Sequence, residues 1–158
     1  MKKDNFVSIG IVLNQGIEIE KIEQLHKMLY EKYNYFEIIL LSYEIDNEDC
    51  LTLLKSLNNI RILELSFYDD IEVAHTTLIE NCIGDYCAIL DLSHDSIEDL
   101  NCILDKSVSY DVVIGTREKK VQSFFQSITS KIFYKTISLF TGIKINSMYS
   151  DFFVINRK

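Results

Sequence analysis

The residues best placed to do chemistry in this chain are polar ones that follow directly on apolar runs. They are Asn14, the segment 42–46 with Asp46 at its end, the segment 91–95, and Thr116-Arg117. An aspartate in such a place offers hard oxygen ligands of the kind Mg²⁺ and Mn²⁺ prefer. Asp91 is the first candidate ligand, and Asp95 supplies a second oxygen directly or through water. Arg117 carries a planar fork that suits a phosphate. Each residue also has a plainer reading. Asp91 is equally a loop acid or helix cap, and either Asp95 or Ser96 caps a helix that begins at Ile97. Arg117 is equally an exposed arginine paired with an acid, and Asn14 a turn residue. His94 reads as a loop residue rather than a ligand. His26 and His75 stand at no strand end and read as structural.

The elements that must position these residues alternate along the chain. Apolar runs predict strands over residues 7–13, 36–43, 60–65, 86–90 and 111–114, with a last strand over 152–155. Helical periodicity predicts helices over 17–33, where Ile22, Leu25, Met28 and Leu29 share a face, and over 46–57, 71–82 and 97–104. A long amphipathic helix is expected over 122–140, ended by Gly142. Fully apolar strands separated by helices imply an α/β fold: a mostly parallel sheet of about five or six strands, covered by helices on both faces. Ligands of such sheets bind beyond the carboxyl ends of the strands, where the polar residues above are found.

With 158 residues, of which 47% are apolar and 25% charged, the chain is expected to form one globular domain over residues 1–158. It has no apolar run of membrane-spanning length. Its first residues, Met1-Lys2-Lys3-Asp4-Asn5, run into a strand without an apolar leader, so no signal peptide and a cytoplasmic location are expected. Cys50, Cys82, Cys87 and Cys102 form no Cys-x-x-Cys pair and none lies at metal-ligand spacing from a histidine, so they read as reduced, mostly buried thiols and not as a zinc site. The net charge of −8 argues against nucleic-acid binding. Residues 119–150 nevertheless hold five lysines and no acid, a local +5 that leaves −13 on the remainder. Such asymmetry points to a face for an anionic partner, or else to a solvated basic helix.

No Gly-x-Gly-x-x-Gly follows the first strand and no Gly-Lys-Ser/Thr phosphate loop is present, which disfavours dinucleotide dehydrogenases and P-loop enzymes. Three other segments occur in order: Gly84-Asp85-Tyr86-Cys87-Ala88-Ile89-Leu90-Asp91-Leu92-Ser93-His94-Asp95, then Tyr110-Asp111-Val112-Val113-Ile114-Gly115-Thr116-Arg117, then Ser150-Asp151-Phe152-Phe153-Val154-Ile155. Between the last two lie Ser130-Lys131-Ile132-Phe133-Tyr134 and Thr141-Gly142. This ordered set resembles the family 2 glycosyltransferases of the GT-A fold, nearest the dolichyl- or polyprenyl-phosphate mannosyl- and glucosyltransferases, and it covers essentially the whole chain.

The resemblance implies a nucleotide-sugar donor, UDP- or GDP-linked, and a divalent metal, Mg²⁺ or Mn²⁺, on Asp91 and Asp95. It places Arg117 on phosphate, Asn14 and Asp46 near the nucleotide, and Asp151 near the acceptor as the catalytic candidate. A lipid-phosphate or glycan acceptor would fit cell-surface polysaccharide or glycolipid synthesis. The basic segment 119–144 would then contact polyprenyl phosphate or the inner membrane surface, the alternatives being a protein partner and an ordinary core helix. The expected reaction is displacement at the anomeric carbon, and a phosphate acceptor, already ionised, needs no strong general base.

Several family residues are missing. The acid after the second strand is absent from Ser42-Tyr43-Glu44-Ile45 unless Asp46 replaces it. The Asp-x-Asp keeps only one of its acids, at Asp91, and the arginine of the closing Asp-Phe-Arg is Phe153. These losses open a second expectation, a degenerate glycosyltransferase-like domain that acts as a binding or accessory subunit, the metal lost with them.

Overall fold

Strands form where large and β-branched residues run without a break, and helices where apolar residues recur every three or four positions. The computed structural model describes residues 2–13, 19–42, 55–65, 70–116, 139 and 149–158. Among these the order is β1 (Lys3–Val12), α1 (Ile19–Lys32), β2 (Tyr33–Ser42), β3 (Ile60–Glu64), α2 (Ile71–Asn81), β4 (Tyr86–Leu90), α3 (Ile97–Lys106), β5 (Val112–Thr116) and β6 (Tyr149–Asn156). Residues 55 and 56 are helical, at the end of the helix expected over 46–57. The rest of that helix, and all of the helix expected over 122–140 except Leu139, lie outside the described residues.

The strands form one six-stranded sheet in the order β3-β2-β1-β4-β6-β5. β1 is parallel to β2 and to β4, and β2 to β3. β6 is antiparallel to both of its neighbours, β4 and β5. The last strand is thus longer than its apolar centre at 152–155, and it enters the sheet between two strands that precede it in sequence.

Every residue of β4, and every residue of β1 from Val7 on, is buried. Their alternate side chains serve two cores. On one face Ile9, Ile11, Ile38, Leu40, Ala88 and Leu90 pack with Leu25 and Leu29 of α1 and Leu100 of α3. On the other, Val12, Ile39, Leu41, Cys87 and Ile89 pack with Ala74 and Leu78 of α2. Helices therefore cover both faces, as fully apolar parallel strands require.

The amino-terminal end of the sheet is closed by a buried carboxylate. Glu37 of β2 accepts from Ser8 Oγ at 2.5 Å and from the Ile83 amide at 3.0 Å, and pairs with Arg61 Nη2 of β3 at 2.8 Å. The Gly84 amide donates to Ser8 Oγ at 2.8 Å. A Cβ on Gly84 would stand 2.8 Å from the Ser8 nitrogen, so only glycine lets the turn into β4 approach β1 this closely.

Candidate functional site

Because β1 to β5 all run the same way, they open onto one edge of the sheet, and β6, running the other way, begins there. Asp91 is the residue immediately after β4. Ile89 pairs with Phe153 of β6. Asp91 stands two residues after Ile89 and Asp151 two residues before Phe153, so continuing the antiparallel register would set these two acids opposite each other at the edge. Asp151 is exposed.

The loop from Asp91 to α3 is held by its own hydrogen bonds. Asp91 Oδ1 accepts from the Ser93 amide at 2.8 Å, and Oδ2 lies 2.9 Å from His94 Nδ1. The Asp91 carbonyl accepts from the amides of His94 and Asp95. Asp95 turns back, and its Oδ2 accepts from the Asp91 amide at 2.8 Å. Burial alone would raise the Asp91 pKa, but the hydrogen bonds from His94 and Ser93 outweigh it and hold the carboxyl below its usual range. Asp91 is therefore ionised through the neutral range. Lys21 of α1 donates to the Leu92 carbonyl at 2.7 Å and ties the helix to the loop. A cavity of about 330 Å³ lies between them, lined by Lys21, Gln24, Ser93, His94, Asp95 and Glu98.

Helix α3 is capped by Ser96, which accepts from the Asp99 amide at 3.0 Å. The choice left open between Asp95 and Ser96 falls on Ser96, and Asp95 instead braces the Asp91 backbone. The structure thus brings Asp91 and Asp95 into one loop, and Asp151 stands near the start of β6 at the same edge of the sheet. Asn14, Asp46 and Arg117 lie outside the described residues. His94, read from sequence as a plain loop residue, is a side-chain partner of Asp91. The spacing of three between them fits a turn, but nothing in the sequence says that the ring folds back. Lys21 carries no signal at all, since its role depends on how α1 crosses the sheet.

A divalent cation fits this donor set only in part. Asp91 presents one partly exposed carboxylate. Among the described residues no three His, Cys, Asp or Glu side chains gather at a point. A cation held here would take most of its ligands from water or from the phosphates of a bound molecule, a habit common for Mg²⁺.

No family model matches the chain. It is 28% identical to an uncharacterised glycosyltransferase of Synechocystis sp., over 96% of this chain and 51% of that protein. Its fold is that of glucosyl-3-phosphoglycerate synthase from Mycobacterium tuberculosis, solved with Mn²⁺, UDP and phosphoglyceric acid, with a TM-score of 0.63 and 13% identity over 97% of this chain and 56% of that one. It is also similar to 4-diphosphocytidyl-2C-methyl-D-erythritol synthase from Anaerococcus prevotii, with a TM-score of 0.57 and 13% identity over 97% and 70% of the two chains. The chain spans about half the length of the two glycosyltransferases it is similar to. At these identities the two solved structures establish a GT-A-like fold, one that carries more than one kind of nucleotide chemistry.

Proposed function

We propose that this chain is the nucleotide-sugar-binding part of a family 2 glycosyltransferase, which takes a sugar from a UDP- or GDP-linked donor and passes it to a lipid-phosphate or glycan acceptor. The observation that carries the reading is the convergence of Asp91 and Asp151 on the carboxyl edge of the sheet, from motifs that stand in the family's order. Asp91, with Asp95 behind it, faces the donor diphosphate. A divalent cation held there would neutralise the charge that develops as the diphosphate leaves. Ser93 and His94 fix the Asp91 carboxylate, and Lys21 fixes the loop, so that little is left to order on binding. Arg117 is assigned to the diphosphate, Asn14 and Asp46 to the nucleoside, and Asp151 to the acceptor side. The test is release of UDP or GDP from the matching nucleotide sugar in the presence of polyprenyl phosphate and Mn²⁺. Asp151→Asn should lower that release at least tenfold while leaving donor binding intact.

A second reading has its own support. Both Asp91 oxygens already have partners within the loop, and one acid of the Asp-x-Asp is absent. On this reading the domain binds a nucleotide sugar without turnover, as an accessory subunit. Tight donor binding with no nucleotide release for any acceptor tried would favour it.

A further inference from the structure

At the end of the sheet remote from Asp91, the chain leaves α2 at Cys82, turns through Ile83-Gly84-Asp85 and enters β4. The turn brings two thiols together. Cys82 Sγ and Cys87 Sγ lie 2.8 Å apart, closer than sulfurs in simple van der Waals contact, and the two residues are 2% and 0% exposed. Both are free thiols. Cys82 is the cap of α2, its amide donating to the Leu78 carbonyl, and the Arg157 guanidinium is anchored on the Cys82 carbonyl. The surroundings treat the two sulfurs unequally. The hydrogen bond shared by the two sulfurs lowers the Cys87 pKa, against the effect of burial and with help from Arg157. The same hydrogen bond, followed by burial, holds the proton on Cys82. The contact places a second sulfur within reach of whichever one reacts first, so that one can attack and the other resolve.

We propose that Cys82 and Cys87 form a redox-active dithiol that a hydroperoxide converts to an intramolecular disulfide. The Cys87 thiolate attacks the outer peroxide oxygen, the O–O bond breaks, and the departing oxygen takes up a proton. This leaves a sulfenic acid on Cys87. The Cys82 sulfur then displaces that hydroxyl, which leaves as water with the Cys82 proton. The two thiols lose two electrons in all, and hydrogen peroxide is reduced to two waters. Because both sulfurs are buried, the first step waits on local opening of the connection between α2 and β4. The product pins the end of α2 to the start of β4, the strand that carries Asp91 at its far end. The site shares no residue with the proposed donor site, so its test is independent of that function.

The test uses the full chain, treated with graded hydrogen peroxide, denatured, alkylated and weighed, with a non-reducing peptide map. The mass should fall by two hydrogens before alkylation, the number of alkyl groups taken up should drop from four to two, and the map should join Cys82 to Cys87. Dithiothreitol should reverse the change, and the oxidised form should melt several degrees higher. Cys82→Ser and Cys87→Ser should each abolish the link, and Cys102→Ser should keep it. The wild-type map decides the matter even where a serine variant fails to fold. Cys82 and Cys87 both still alkylatable at a peroxide dose that oxidises exposed Cys102, a link through Cys50 or Cys102, or over-oxidation of one thiol without a link would each overturn the proposal.

Discussion

Asp91 has donors on both carboxylate oxygens, yet it remains the residue that commands the carboxyl edge of β4. A metal bound there competes with His94 for Oδ2. His94→Ala should therefore leave the fold intact and change the affinity for Mn²⁺, whereas Asp91→Ala should remove the metal's effect altogether; titration of both variants checks this. The linkage sign is fixed by the lowered pKa. A depressed carboxyl contributes stability above its unfolded pKa, about 3.9, and loses it as pH falls through the folded value. Thermal melts of wild type and Asp91→Asn should thus converge below about pH 4, and a constant gap down to lower pH would contradict the assignment. Tyr33 behaves in the opposite sense. Burial, then Asp105 and Tyr86, push its phenol well above the usual range, so its contribution is complete below about pH 10 and is lost at more alkaline pH. How much of this was legible differs by residue. Asp91 stood out because a lone acid ends a fully apolar strand. The roles of His94 and Asp95 did not, because the loop between β4 and α3 can fold its side chains in several ways and composition does not choose among them.

At the scale of elements, burial and capping set the energies. Leu78 of α2 is fully buried in the core on its face of the sheet, and Leu78→Ala should cost about 2–5 kcal/mol in urea unfolding. Ser96→Ala removes the cap of α3 and should cost about 1 kcal/mol. Glu37→Ala strands the Ile83 amide and Ser8 Oγ and unpairs Arg61. Because Arg61 is 42% exposed, the loss should fall near the low end of about 3–5 kcal/mol for breaking a buried pair. The strands and helices were readable because their periods are strong: Val7 to Val12 are all buried, and Ile22, Leu25 and Leu29 recur at helical spacing on α1. The direction of β6 was not readable. Phe152, Phe153, Val154 and Ile155 say strand, but not that β6 begins at the edge where β5 ends and so runs antiparallel to β4 and β5. Cys102, read as one of several buried thiols, is exposed on α3.

For the whole molecule, one strand direction and one reversed strand place acids from distant parts of the sequence at a common edge, and the charge of the chain is divided. The five lysines of residues 119–150 face a remainder of −13. No helix among the described residues is long and apolar enough to cross a membrane. Under the proposed function this basic segment meets an anionic lipid surface, each lysine contributing on the order of 1 kcal/mol, weakened by salt. Charge reversal at Lys131 and Lys135 should then reduce co-sedimentation with anionic vesicles, and raised salt should mimic the variant. A wild-type chain that fails to sediment with such vesicles at low salt would exclude the lipid version. The central claim, a nucleotide-sugar site built on Asp91, is tested most directly by calorimetric titration with UDP- and GDP-sugars, with and without Mn²⁺, on wild type and Asp91→Ala. Binding of one nucleotide class should be saturable, and Mn²⁺ should tighten it in wild type and not in the variant. Absence of binding to either class, or binding that neither Mn²⁺ nor the substitution alters, would contradict the claim.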